Sequence, residues 1–199
     1  MPRPPDPAKR RDLLDRVRDY VLRNGLSDLS LRPLARALGT SDRMLLYYFG
    51  SKERMVAKAL AVDERRPLLR TRELMERTGP PTDPAGLRRF LEDVWRQFKD
   101  RDARASLPLY LEIMSASLLH PDRYGPVMRD IITAWTDVLT SVLRDLGMGE
   151  YQARTQATLL TDATFGLLIA PLADGHWDRA DEAFHALLDS LEPGWHSTA

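Results

Sequence analysis

The chain has 199 residues, 43% of them hydrophobic and 29% charged, with no cysteine. That length suits one large domain, or a small one fused to a medium one, and is enough to bury a sizeable core. The missing cysteines exclude a disulfide framework, a thiol nucleophile and Cys-based metal sites. The formal net charge is zero, yet residues 1–66 carry 15 Lys/Arg against 9 Asp/Glu, and residues 67–199 carry 14 against 20. A basic first third ahead of an acidic remainder points to a nucleic-acid-binding module joined to a part that avoids phosphate. No apolar run approaches the ~18 residues of a membrane span, and the first nine residues lack a signal peptide's apolar core. A soluble, cytoplasmic protein with no membrane partner is therefore expected.

In chain order, Asp6-Pro7 predicts a helix start, and Leu13, Leu14, Val17, Tyr20 and Val21 mark one apolar face as far as Asn24-Gly25. Ser30 is placed to cap a short helix over 31–38, where Pro33 falls harmlessly in the first turn. Gly39 stops it, Ser41 caps a third helix over 42–49, and Gly50-Ser51 starts a fourth over 52–66. Residues 68–77 continue helically into the loop Gly79-Pro80-Pro81-Thr82-Asp83-Pro84. Helices over 85–100, 103–119, 124–146, 150–174 and 179–191 follow, with Pro108, Pro126 and Pro171 expected to kink or bound them. The tails, 1–6 and 193–199, read as disordered. No stretch alternates with period two, so the fold class is all-α: an N-terminal three-helix domain plus a longer C-terminal helical domain. The expected boundaries are 1–50 and 51–199, with helix 52–66 as connector.

Helices 31–38 and 42–49, separated by Gly39-Thr40-Ser41, have the proportions of a helix-turn-helix. Ala35 is small where the two must cross; Leu34, Leu38, Leu45 and Phe49 suit the buried seam. Gly39 supplies a turn conformation that a β-carbon penalises. The outward face then carries Asp42, Arg43, Met44, Leu46, Tyr47 and Tyr48.

The run Leu31-Arg32-Pro33-Leu34-Ala35-Arg36-Ala37-Leu38-Gly39-Thr40-Ser41, followed by Leu45-Leu46-Tyr47-Tyr48-Phe49-Gly50-Ser51-Lys52-Glu53, resembles the DNA-binding domain of TetR-family transcriptional regulators. The resemblance covers about residues 10–60 in sequence and the remainder only in helix pattern. It implies that Ser41 caps the recognition helix and meets a phosphate, and that Tyr48 and Lys52 contact the backbone. Leu46 stands where the family commonly has tyrosine and cannot donate to phosphate. Arg43, in the first turn of the recognition helix, is the candidate base reader, because its fork can pair bidentately with guanine. The DNA-binding set is Thr40, Ser41, Arg43, Met44, Tyr47, Tyr48 and Lys52.

Beyond residue 84 the helices hold more aromatic and methionine surface than DNA binding needs. The resemblance implies a pocket for a small hydrophobic effector, for which Trp95, Phe98, Tyr110, Met114, Trp135 and Asp162 are the candidates. The last two helices have wide apolar faces, which matches the family's dimer interface; Phe165, Leu168, Phe184 and Leu187 are its candidates. Catalysis finds little support. His120, His176, His185 and His196 lack metal-binding spacing, Gly147-Met148-Gly149 lacks a nucleotide-binding context, and no nucleophile elbow occurs. No cofactor, metal or catalytic residue is expected. The expected function is a homodimeric regulator, a repressor released from a palindromic double-stranded operator by a small molecule. The alternative is an all-α small-molecule-binding protein or enzyme whose N-terminal module is only structural.

Overall fold

The computed structural model describes residues 6–26, 29–61 and 67–195, and its helices follow the punctuation of the sequence. They are α1 (Pro7–Asn24), α2 (Leu31–Ala37), α3 (Asp42–Phe49), α4 (Lys52–Ala61), α5 (Pro67–Thr78), α6 (Pro84–Lys99), α7 (Arg101–Leu119), α8 (Pro121–Asp145), α9 (Glu150–Asp174) and α10 (Trp177–Leu191). A 3₁₀ turn, Glu192–Trp195, follows. Among the described residues there is no strand. The chain is all-α.

The local signals act as chemistry requires. Asp6 accepts from the Ala8 and Lys9 amides, at 2.9 and 3.5 Å, so it caps α1 instead of belonging to a frayed tail. Asp83 accepts from Gly86 N at 2.6 Å and starts α6. The other tail is also structured as far as Trp195, which is 2% exposed; residues 196–199 and 1–5 lie outside those described. Ser30 precedes α2 in extended conformation, but its side chain makes no capping bond.

The chain forms two compact units. The first comprises residues up to 66 together with 108–128, and the second comprises 67–107 and 129 onward. A linear boundary at 50/51 is therefore not where the contacts divide, because the end of α7 and the start of α8 join the N-terminal helices. In the first unit α1 packs along α4, burying Leu13, Val17 and Val21 with Met55, Val56 and Ala59. Glu112 of α7 accepts from the Leu26 amide at 2.7 Å and so secures the turn after α1. Helix α4 is described to Ala61; the rest of the expected connector, 62–66, lies outside the described residues.

In the second unit α9 packs against α10, and Leu87, Trp95, Phe98, Leu143, Leu160, Leu168, Phe184 and Leu188 are buried. Arg88 of α6 reaches Glu192 at 2.7 Å, Asp189 at 2.8 Å and Glu92 at 3.0 Å. By length and composition α9 is apolar enough to cross a membrane, contrary to the expectation that no segment comes near. The reason is its Ala, Leu, Ile and Phe residues, which raise mean hydropathy although interspersed Thr, Asp and Gly prevent a continuous apolar run. Its Ala153, Ala157, Leu160 and Leu168 face the interior of this unit.

Candidate nucleic-acid interface and apolar cavity

The turn between α2 and α3 is built from backbone bonds that only a left-handed residue permits. Gly39 sits at φ +60°, its amide donates to Arg36 O at 3.1 Å, and Thr40 N donates to Ala35 O at 2.9 Å. This pair of bonds is the Schellman ending of a helix. Arg16 of α1 donates to the Leu38 carbonyl, which fixes the turn from behind. Ser41 Oγ then accepts from Met44 N at 3.2 Å and starts α3. The seam is as read: Leu34, Ala35, Leu38, Leu45 and Phe49 are all at most 5% exposed.

With the seam buried, the opposite face of α3 is left to solvent. Leu46 is 41% and Tyr47 47% exposed; Arg43 is exposed, while Met44 and Tyr48 are half-buried. The Tyr47 and Tyr48 rings meet edge-on at 5.4 Å, and Tyr48 lies 6.2 Å from Phe49. Asp42 accepts from the Arg43 amide at 2.9 Å, so its carboxylate is directed at its own helix start. The Arg43 guanidinium has no hydrogen bond or ion pair among the described residues. Ser41 keeps its O–H for a further acceptor, since capping uses only an oxygen lone pair. Thr40 is half-buried in the turn.

Lys52 is less free than its sequence position suggests. Its Nζ donates to Leu29 O at 2.9 Å, while Ser51 Oγ accepts from Arg54 N at 3.1 Å to start α4. Two further cations were missed. Arg32 and Arg36 of α2 are exposed and unpaired among the described residues. The available signal was the docking rule itself: the first helix of a helix-turn-helix crosses the phosphate backbone.

The second unit encloses an apolar cavity of about 30 Å³. Ten of its twelve lining side chains are apolar, among them Trp95, Phe98, Trp135, Phe165 and Phe184; the other two are Thr161 and Thr164. Trp95 stacks on Phe184 with centroids 4.5 Å apart and planes 8° from parallel. The Trp95 Nε1–H donates to Asp181 at 2.6 Å, and Lys99 Nζ lies 2.7 Å from the other carboxylate oxygen. Burial pushes the Asp181 carboxyl up, but the bonds from Lys99 and Trp95 outweigh it and hold the group below the usual carboxylate range. Phe90 lines both this cavity and an outer recess of about 320 Å³ at the 78–83 loop.

Three effector candidates, Trp95, Phe98 and Trp135, thus come together, and three do not. Tyr110 is buried and Met114 half-buried in the first unit, because α7 beyond Pro108 packs with the N-terminal helices. Asp162 is exposed; the inward stripe of α9 runs through Ala157, Leu160, Thr161, Thr164 and Leu168, which turns residue 162 away. The dimer candidates need a similar correction. Leu168 is 1% and Phe184 2% exposed, both spent on the core of their own unit, and Phe165 lines the cavity. Leu187 is half-buried. The apolar side chains that α9 shows to solvent are Leu159 and Ile169, each 46% exposed, and Tyr151 at 86%.

A helix-turn-helix with an unspent recognition face, in a chain that also carries an apolar cavity, defines the class: a DNA-binding protein with a helical companion unit. Residues 14–59 match the family of bacterial regulatory proteins, tetR family. The N-terminal helices of this chain are thus similar to the DNA-binding domain of tetR-family regulators, which supports DNA-binding transcriptional regulation as its coarse function. No curated protein sequence matches. Among solved structures, a transcriptional regulator from Rhodococcus sp. Rha1 superposes with a TM-score of 0.71 at 23% identity, covering 95% of this chain and 97% of that one. A TetR transcriptional regulator from Legionella pneumophila gives 0.66 at 14% identity, covering 96% and 98%. At these identities the likeness establishes the fold.

Proposed function

We propose that this chain is a homodimeric, cytoplasmic repressor that binds a palindromic operator and leaves it when a small apolar molecule occupies the cavity. The observation that carries the reading is the α3 face. Arg43, Leu46 and Tyr47 are exposed at the N-terminal and central turns of a helix whose other side is fully used in packing. In helix-turn-helix docking those turns meet base edges in the major groove, and a dimer spans half-sites about 34–36 Å apart. Arg43 reads a base; Ser41, Tyr48, Lys52, Arg32 and Arg36 meet phosphates; Thr40, Met44 and Tyr47 complete the contact surface. The outward face of α9, with Leu159 and Ile169, pairs with its copy.

The linkage is thermodynamic. A ligand weakens DNA binding only by as much as it prefers the conformer that binds DNA poorly. The test is selection of sites from random duplex DNA, followed by affinity measurements across salt concentrations. A palindromic consensus and a steep loss of affinity with salt are expected, since phosphate contacts release counterions. Recovery of no consensus sequence would sink the reading.

A further inference from the structure

We propose that the cavity of the second unit takes a neutral, flat, apolar molecule bearing one hydrogen-bonding group, held by Thr161 Oγ1. This rests on the reading of the cavity as a ligand site and adds the ligand's chemistry. Thr161 is 4% exposed, lines the cavity and has no hydrogen-bond partner among the described residues. Its neighbours show that this is not simply what helical threonines do. Thr136, Thr140, Thr155 and Thr158 each donate to the carbonyl four residues back, at 2.7–2.9 Å. Thr161 makes no such bond, and of the two threonines lining the cavity it is the fully buried one, Thr164 being half-buried. A buried polar group without a partner is unfavourable, so a ligand atom that satisfies it gains both the bond and the relief of that cost.

The rest of the lining sets the ligand's charge and shape. No side chain in it is ionised, so a carboxylate or ammonium would be buried without a counter-ion. The Trp95 indole N–H is already committed to Asp181 and offers the ligand only ring surface. Trp95, Phe98, Trp135 and Phe184 present ring surfaces, with which a flat aromatic body stacks well. The space of about 30 Å³ holds one or two waters, so an aromatic ligand is accommodated by turning a side chain aside. Phe90, shared with the outer recess, is that side chain.

Calorimetric titration of the full-length protein with phenol, toluene and benzoate tests the proposal. These share a ring but differ in carrying a neutral hydroxyl, no polar group or a charge. Wild type is expected to bind phenol and toluene and to exclude benzoate. Thr161→Val should weaken phenol binding roughly three- to tenfold, the worth of one neutral hydrogen bond, and leave toluene within about twofold. Thr161→Ser should restore the phenol preference. Thr161→Val should also melt at or above the wild-type temperature, because it removes an unsatisfied hydroxyl. Benzoate binding as tightly as phenol, failure of all three to bind, an unchanged phenol-to-toluene ratio in Thr161→Val, or a clear fall in its melting temperature would each overturn the proposal. Operator affinity measured with and without phenol separates this from the broader reading. Thr161-dependent phenol binding that leaves DNA affinity unchanged refutes ligand control but not the ligand chemistry.

Discussion

Lys52 Nζ donates to the Leu29 carbonyl at 2.9 Å, which ties the start of α4 to the segment leading into α2. An ammonium has three donors, so one bond to a carbonyl leaves two for a phosphate and keeps the positive charge in place. The bond fixes the cation beside the helix-turn-helix and so reduces what ordering it would cost on binding DNA. Lys52→Ala should lower affinity for all sequences alike and flatten the salt dependence by about one unit per subunit. It should also lower the melting temperature modestly. An unchanged salt slope beside a lowered melting temperature would leave Lys52 with a purely structural role.

Arg43 has the opposite character, exposed and uncommitted. Arg43→Ala should cost roughly 1–3 kcal/mol per half-site and relax preference at one base position. Operator selections with wild type and variant decide this. A uniform loss, with base preferences intact everywhere, would make Arg43 a phosphate contact and pass the reading role to Tyr47 and Met44.

On α9, exposure separates the proposed interface from the core. Leu159→Asp or Ile169→Asp should leave a folded monomer, because each places a carboxylate on the face proposed to pair with a second copy. Phe184→Asp should instead unfold the second unit, since that side chain is 2% exposed. Light scattering and circular dichroism distinguish the outcomes. Dimers that survive both α9 substitutions would move the interface elsewhere.

Asp181 makes stability depend on acid. Its carboxyl is held below the unfolded value, so its contribution is complete above about pH 4 and is lost as pH falls through the folded value. Asp181→Ala leaves the Trp95 indole N–H without its acceptor and should cost about 1–3 kcal/mol at neutral pH. The variant should then show a shallower loss of stability between pH 4 and pH 2 than wild type. Parallel melting curves across that range would remove Asp181 from the account.

The helix-turn-helix was legible because its determinants are local. Gly39 needs a left-handed conformation, Ser41 caps α3, and the seam follows helical spacing. The cavity was half legible, since bulky aromatics announce an interior but not which interior. Tyr110 looks like Trp135 in sequence; only the packing of α7 beyond Pro108 assigns it to the other unit. Helix α9 was hardest, with leucines on both faces: Leu160 and Leu168 turned in, Leu159 and Ile169 turned out. Periodicity cannot choose between such faces, so it does not tell that Asp162 faces out while Thr161 faces in, or that Leu168 is core while Ile169 is exposed. Ser30 failed for a simpler reason: the right residue type at a helix start does not guarantee the rotamer that caps it.

The membership of residues 108–128 in the first unit has a consequence for biosynthesis. The amide of Leu26 waits for a carboxylate 86 residues further along the chain. When residue 66 leaves the ribosome, the reading head has its four helices but not this support. At ~5–20 residues per second, the interval before residue 128 emerges is roughly 3–12 s. A ribosome that stalls or a message that ends within that interval yields a nascent chain with the exposed α3 side chains in place and the scaffold behind them incomplete. Completion of the N-terminal unit is thereby deferred until residues 108–128 have been made, and with them the whole of residues 67–107 of the second unit.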